Sequence, residues 1–324
     1  MKAVYCPRYG SPDVLEIREM PTPTLKPQEV LVRIHAANLS SGDARIRAAR
    51  FPRGIGWAAR LAMGLRGPRN PVLGFSAAGV IEEIGANHTR FKPGQRVVGI
   101  AGQTFGTHAE YRAFGPKSPL LPIPDEMDFE TATALTFGGT TALQFLEAKG
   151  KLRPGERVLV LGASGQVGIA AVQIAKHLGA YVVGVCSERN TEQVLAVGAD
   201  ATIDYARTDF TQGTDSYDII MDCVGATRFS RAKAVLRPNG RFLIVDGGDL
   251  RGMMAPLRGA DSQGRRAIGG VAEDREEDIA RLIALWQAGE FDPVISKRFP
   301  LAEARAAHRL VDSGRKLGSV VLTM

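Results

Sequence analysis

The stretch VLVLGASGQVG, residues 158–168, does most to limit what this chain can fold into. Four apolar residues read as a strand buried on both faces. Glycines follow at 162, 165 and 168, and a helical pattern, QVGIAAVQIAKHLG, begins. Strands and helices alternate from there. YVVGVC, DATID, YDIIMDCVG and GRFLIVDGG read as strands, RNTEQVLAVG and TRFSRAKAVL as helices. That alternation implies βαβ units around a parallel sheet.

The first ~125 residues have another texture. Short runs rich in branched residues, VLVRIHAANL and VVGI, are punctuated by PTPTLKP, FKPGQ and GPKSP, and read as β-rich. DEMDFETATALTFGGTTALQFLEAKG then reads as a helix closed at Gly150. After the alternating section, EEDIARLIALWQAGEF and LAEARAAHRLVDSG read as helices, VISKRF and GSVVL as strands. With 324 residues, the chain is about the right length for two domains.

Composition narrows the class: 44% hydrophobic and 23% charged is globular. No apolar run reaches ~18 residues, so neither a membrane span nor a membrane partner is expected. The N-terminal residues lack the apolar core of a secretory signal. Cys6, Cys186 and Cys223 are isolated and odd in number, which points to a reducing compartment and a cytoplasmic location. The net charge is +7, and Arg45, Arg47, Arg50, Arg53, Arg60, Arg66 and Arg69 crowd one segment. A basic surface is one reading of that segment; an anionic ligand or nucleic acid bound through 45–69 is another.

ASGQVG is an A-x-G-x-x-G form of the dinucleotide fingerprint, with Gly162 before it. Gly165 would let backbone approach a pyrophosphate, and Gly168 would let the helix sit close to the strand. Ser164, Gln166 and Val167 would surround phosphates at the helix start. The next strand end selects the dinucleotide. No acid stands there; Ser187 and Arg189 are within reach of a 2′-phosphate, which favours NADP(H), while Glu188 pulls toward NAD.

TTAL, the fingerprint, GADATIDY and YDIIMDCVG, together with GFSAAGVIEEIG, FKPGQRVVGI and GTHAEYR, resemble the medium-chain dehydrogenase/reductases. Within them the chain is similar to the zinc-free quinone oxidoreductase, zeta-crystallin-like branch. The resemblance implies an α/β fold. A GroES-like β-rich catalytic domain would span 1–126 and be completed by 290–324. A Rossmann doubly wound cofactor domain would span 127–289. Where zinc relatives carry ligands this chain has Ser40, Phe75 and, roughly, Phe137, which cannot supply a zinc site. The five histidines read as scattered structural or surface residues.

The resemblance further implies hydride transfer to an acceptor that is already activated, a quinone or an enone. Ser40, Asp43 and Arg45 lie in the loop beside nicotinamide and substrate, with Ser41 a further candidate there. Asp43 reads more as a loop-fixing residue than a proton carrier, and Arg45 suits a polar or anionic acceptor. Thr141, Tyr205, Val224, Asp246, Gly247 and Lys316 complete the implied cofactor contacts. Residues 51–71 read as a lid carrying Trp57 and Met63 over the cleft, or as a surface helix packed on the core. GRFLIVDGG is expected as an edge strand pairing two copies into a homodimer. An NADPH-binding sensor or RNA-binding protein with little turnover is the alternative from another class; alcohol dehydrogenase-like activity is a third.

Overall fold

The computed structural model describes residues 1–51, 54, 56–246 and 249–324. The chain begins with β1 (Lys2–Tyr5) and β2 (Glu16–Glu19), then β3 (Val30–Leu39), α1 (Ser41–Arg47) and α2 (Gly56–Met63). β4 (Ser76–Ile84), β5 (Arg96–Ile100), β6 (Tyr111–Phe114) and β7 (Leu120–Pro122) complete the β-rich part. α3 (Phe129–Leu143), capped by the Asp128 side chain on Thr131 N–H, runs into a π-helix over Gln144–Lys149. The alternating section comprises β8 (Arg157–Leu161), α4 (Gln166–His177), β9 (Tyr181–Cys186), α5 (Thr191–Ala196), β10 (Ala201–Asp204) and β11 (Tyr217–Asp222). It continues through α6 (Phe229–Ala232), β12 (Leu236–Ile244), α7 (Leu250–Met253) and β13 (Arg266–Ile268). α8 (Glu276–Gln287), β14 (Ile295–Pro300), α9 (Ala304–Asp312) and β15 (Ser319–Thr323) end the chain.

β8 to β13 form a parallel sheet in the order β10-β9-β8-β11-β12-β13. Alternate residues of its strands feed two separate cores, because side chains on a strand point to opposite faces in turn. Val158, Val160, Val182, Ile219 and Met221 pack with the α3, α4 and α8 residues on one face. Leu159, Leu161, Val183, Ile220 and Phe242 pack on the other. The β-rich residues form a second sheet, β14-β15-β3-β4-β5-β7, with β6 also paired to β3. β14 and β15 thus carry the C-terminal residues back into this second sheet, with β15 antiparallel to β3.

Two readings change at the parallel sheet. TRFSRAKAVL is helical only over α6 and a 3-10 turn at Lys233–Val235, because β12 starts at Leu236 and Ala232 and Val235 are already buried beneath it. GRFLIVDGG is not the edge: β12 lies between β11 and β13. The edge on that side is β13, whose three residues are too short a run to signal a strand in the sequence.

The order of strands reverses between β8 and β11, and a crevice opens outside the carboxyl ends of an open parallel sheet at such a point. The turn after β8 holds that crevice's shape. Gly162 has φ +76°. Gly168 lies so close to it that a Cβ there would sit 2.1 Å from the Gly162 carbonyl oxygen and 2.7 Å from Ala163 Cα. Gly168→Ala is therefore expected to cost about 1–3 kcal/mol through forced separation of α4 from β8. Urea unfolding measures it; an unchanged midpoint would show that the backbone has slack there.

Candidate active site

Two cavities run end to end along that crevice and share Ser41 and Val224 in their walls. The first has a volume of about 790 Å³ and lies at the fingerprint turn. Gly162, Ser164, Gly165, Ser187, Arg189, Tyr205, Val224 and Lys316 line it, with Asn190, Arg207 and Arg231. The second, about 620 Å³, is a chamber between the two sheets. Arg45, Thr141, Val167, Val224 and Asp246 line it, among the phenyl rings of Phe51, Phe75, Phe105, Phe137 and Phe145.

In the first cavity the backbone does most of the shaping. Gly165 is the N-cap of α4 and brings no side chain to that end. The first N–H groups of a helix have no acceptor within it and form a positive end suited to phosphate. Asn190 Nδ2 donates to Ser164 Oγ at 2.9 Å, and Gly318 N donates to the Ser164 carbonyl at 2.9 Å, so both neighbours pin the turn. Arg189 has no carboxylate partner among the described residues. Glu188 is engaged by Arg207 at 2.7 Å, outside the cavity wall. Lys316 Nζ donates to the Gly318 carbonyl at 3.0 Å, and burial pulls its ammonium down to about 8 against the opposing attraction of Asp43.

The loop between β3 and α1 turns inward. Asp43 is fully buried, and its carboxylate accepts from Ser40 N at 2.8 Å, Ser40 Oγ at 2.7 Å and Gly74 N at 2.9 Å. Ser40 in return accepts from Asp43 N, forming a capping box that starts α1. Neither Ser40 nor Asp43 lines the cleft; Ser41, the next residue, lines both cavities. Arg45 reaches across the cleft to an ion pair with Asp246 at the end of β12.

Two further expected contacts, Gln166 and Gly168, fall short of the cleft. Gln166 is buried and donates to Asn38 Oδ1 at 2.9 Å, joining the two sheets' domains. Gly168 packs on the turn behind it. Thr141 lines the chamber while its hydroxyl donates to the Phe137 carbonyl of its own helix at 2.7 Å, the local bond a helical Thr favours. Gly247 lies outside the described residues. Trp57 is corrected: it is 75% exposed and points away, while Ala59 and Met63 of α2 line the chamber. The helix periodicity puts 59 and 63 on one face and 57 and 61 on another.

Ser40, Phe75 and Phe137 do converge. A Cβ on Gly42 would lie 3.0 Å from the Phe75 ring and 3.2 Å from Ser40 Oγ, and the Phe75 and Phe137 rings are 5.9 Å apart. They offer two hydrocarbon rings and one hydroxyl already bound to Asp43. This donor set does not fit zinc, which takes thiolate, imidazole or carboxylate. The histidines are less scattered than expected: His108 and His308 are buried neighbours with ring centroids 6.2 Å apart. Burial holds His308 well below the usual imidazole range.

Sequence reasoning missed Phe105, Gln103 and Asp274 in the chamber wall. They sit on loops after β5 and before α8, with no motif; burial alone raises the Asp274 carboxyl. The inward loop gives a test. Asp43→Ala strands three buried donors and should cost about 3 kcal/mol, whereas Ser40→Ala should cost about 1 kcal/mol. Chemical denaturation decides it; a fully stable Asp43→Ala enzyme with lost turnover would move Asp43 from scaffold to chemistry.

Residues 26–125 match the family described as alcohol dehydrogenase GroES-like domain, and residues 197–322 match the one described as zinc-binding dehydrogenase. The chain is 31% identical to a quinone oxidoreductase of Pseudomonas aeruginosa over 99% of both chains. It is also 31% identical to a 2-haloacrylate reductase of a Burkholderia species, over 78% of this chain and 80% of that one. The solved quinone oxidoreductase of Coxiella burnetii superposes with a TM-score of 0.87 at 29% identity, covering 100% of this chain and 99% of its own. With the aromatic and hydroxyl side chains standing where zinc relatives carry ligands, the chain belongs to the zinc-independent quinone oxidoreductase branch of the medium-chain dehydrogenase/reductases.

Proposed function

We propose that this protein is an NADPH-dependent reductase that delivers hydride to a quinone or an α,β-unsaturated carbonyl compound. The observation that carries the reading is the continuous cleft, which leads from the fingerprint turn to a phenyl-lined chamber and is joined at Ser41 and Val224. A dinucleotide laid along it would have its phosphates at the α4 N-terminus and its nicotinamide beside Thr141, Val167 and Asp246. When bound, the nicotinamide supplies the hydride.

The chain's own groups do the remainder. The phenyl rings exclude water from the chamber and accept a flat, apolar acceptor. Ser41 and the Arg45 guanidinium, steadied by Asp246, are the donors we assign to the oxyanion that forms on the acceptor oxygen. Ser40 and Asp43 hold that loop in place. In this reading no group polarises a simple alcohol, so activated acceptors suit the site. The domains we assign are 1–126 with 290–324 for the acceptor, and 127–289 for the cofactor. We also take the protein to be cytoplasmic, with free thiols throughout. We take it to be a homodimer built on the open edge of β13, which sedimentation would test.

NADPH over NADH rests on Arg189, Ser187 and the diversion of Glu188 to Arg207. Arg189→Ala should weaken NADPH binding about 10- to 100-fold, the worth of a charge-assisted hydrogen bond, and leave NADH within about twofold. Equal losses for both would remove the 2′-phosphate role. Oxidation of NADPH followed across a panel of quinones, enals and enones tests the reaction itself; tight binding with no turnover on any of them would favour the sensor reading.

Lys316 gives a pH signature. Its free-state value is lowered to about 8, so below that pH the ammonium is present and an anionic dinucleotide binds at full strength. Above it, each binding event must take up a proton, so affinity should fall as pH rises. Lys316→Arg keeps its charge throughout and should flatten the titration of the dissociation constant. An identical profile in both proteins would separate Lys316 from the phosphates.

A further inference from the structure

The arginine-rich segment has a feature that hydride transfer does not use. On α2, Ala59 and Met63 face the chamber, while Trp57 and Leu61 face solvent at 75% and 56% exposure. Leu65, just past the helix end, follows at 68%. Trp57 and Leu61, four apart, share one helical face, and Leu65 is exposed just past the break at Gly64, whose φ is +125°, so three large apolar side chains lie close together in sequence on the outside. Single scattered exposed apolar residues are ordinary, but three large ones within nine residues are a cluster.

The cluster is held outward by polar pins behind it. Tyr9 Oη donates to the Gly64 carbonyl at 2.8 Å, Arg69 donates to the Leu61 carbonyl at 2.9 Å, and Arg69 N donates to the Met63 carbonyl at 2.7 Å. The segment after Asp43 contains no Asp or Glu until Glu82, and it carries seven arginines, equal to the chain's whole net charge of +7. Arg45, Arg47 and Arg50 are spent on Asp246 and Asp312. Arg60 and Arg66 flank the cluster with no carboxylate partner among the described residues, and both are exposed.

We propose that α2 is an interfacial helix that seats the protein on an anionic lipid surface, with Trp57, Leu61 and Leu65 in the acyl boundary and Arg60 and Arg66 at the headgroups. Amphipathic helices with Trp and Leu on one side and arginines beside them bind in this way without spanning. No described helix is long and apolar enough to cross a membrane, so the association is peripheral. The expected absence of a membrane span stands among the described residues, and the proposal adds only a peripheral contact. A nucleic acid would use the arginines but has no use for a solvent-facing cluster of Leu side chains, and the cluster has no flat groove for bases. Because the opposite face of the same helix walls the chamber, docking would put the chamber beside the bilayer. Resting on the proposed reductase activity, this narrows the acceptor to a lipophilic quinone or enone taken from the membrane.

Flotation of the full chain with vesicles tests the docking without any turnover. We expect it to float with phosphatidylcholine–phosphatidylglycerol vesicles, to stay behind with phosphatidylcholine alone, and to be released by salt. The Trp57→Ser/Leu61→Ser double variant should lose about tenfold or more in partitioning. Arg60→Ser and Arg66→Ser should each lose roughly fivefold. All three variants should reduce a water-soluble quinone at the parent rate, since none of these side chains lines the chamber. Failure of that quinone assay in the parent would defeat the reductase reading and leave docking intact. No flotation of the parent, or flotation unchanged in the double variant, overturns the proposal. So does a halving of mass on sedimentation in the double variant, which would make the cluster a contact between copies. Loss of polyuridylate retention in Arg60→Ser with no flotation of the parent would assign the segment to nucleic acid instead.

Discussion

The close approach of α4 to β8 at Gly162 and Gly168 is the constraint on which the cleft depends. A side chain at 168 would meet the Gly162 carbonyl at 2.1 Å. With none, the helix starts directly over the strand end, and its unpaired N–H groups face the crevice. Other contacts use that same turn: Gly318 N on the Ser164 carbonyl, Asn190 on Ser164 Oγ, and Gln166 on Asn38. The last of these ties the cofactor-side helix to β3 of the other sheet. Moving the turn would therefore move the phosphate end of the cleft and the seam between the sheets together.

The opposite wall is organised by a buried carboxylate. Asp43 accepts three hydrogen bonds from its own loop and from Gly74, which fixes where α1 starts and which of two adjacent serines faces the cleft. One residue decides the matter: Ser40 turns in and Ser41 turns out. Arg45, one turn later on α1, then spans the cleft to Asp246. The two domains are thus linked on the substrate side by an ion pair and on the cofactor side by an amide pair, with the chamber between them.

Much of this was legible in the chain. The alternation of apolar runs and helices marks the parallel sheet, and the glycine spacing marks its phosphate turn, because both are local consequences of backbone sterics. Arg189 and Ser187 could be placed at the cavity because they directly follow a strand whose end is readable. The edge of the sheet was not readable, since β13 has only three residues and no apolar run. Nor was the shortness of α6, which is set by where β12 must begin. Trp57 was misplaced because a periodic apolar pattern says that a helix has faces and not which one meets the core.

The sequence by itself determined the parallel-sheet fold, the glycine turn with its preference for a dinucleotide, and the lack of zinc-binding side chains at 40, 75 and 137. Those follow from residue type and spacing of a few positions along one strand or helix. Only the tertiary structure decided which donors the buried Asp43 carboxylate takes, that Ser41 lies at the junction of both cavities, and that Phe105 and Asp274 join the chamber. It also turned Trp57 and Leu61 to solvent. Each of these depends on which distant segments are brought within a few ångströms, and that is set by the packing of one sheet against the other, which no local pattern encodes.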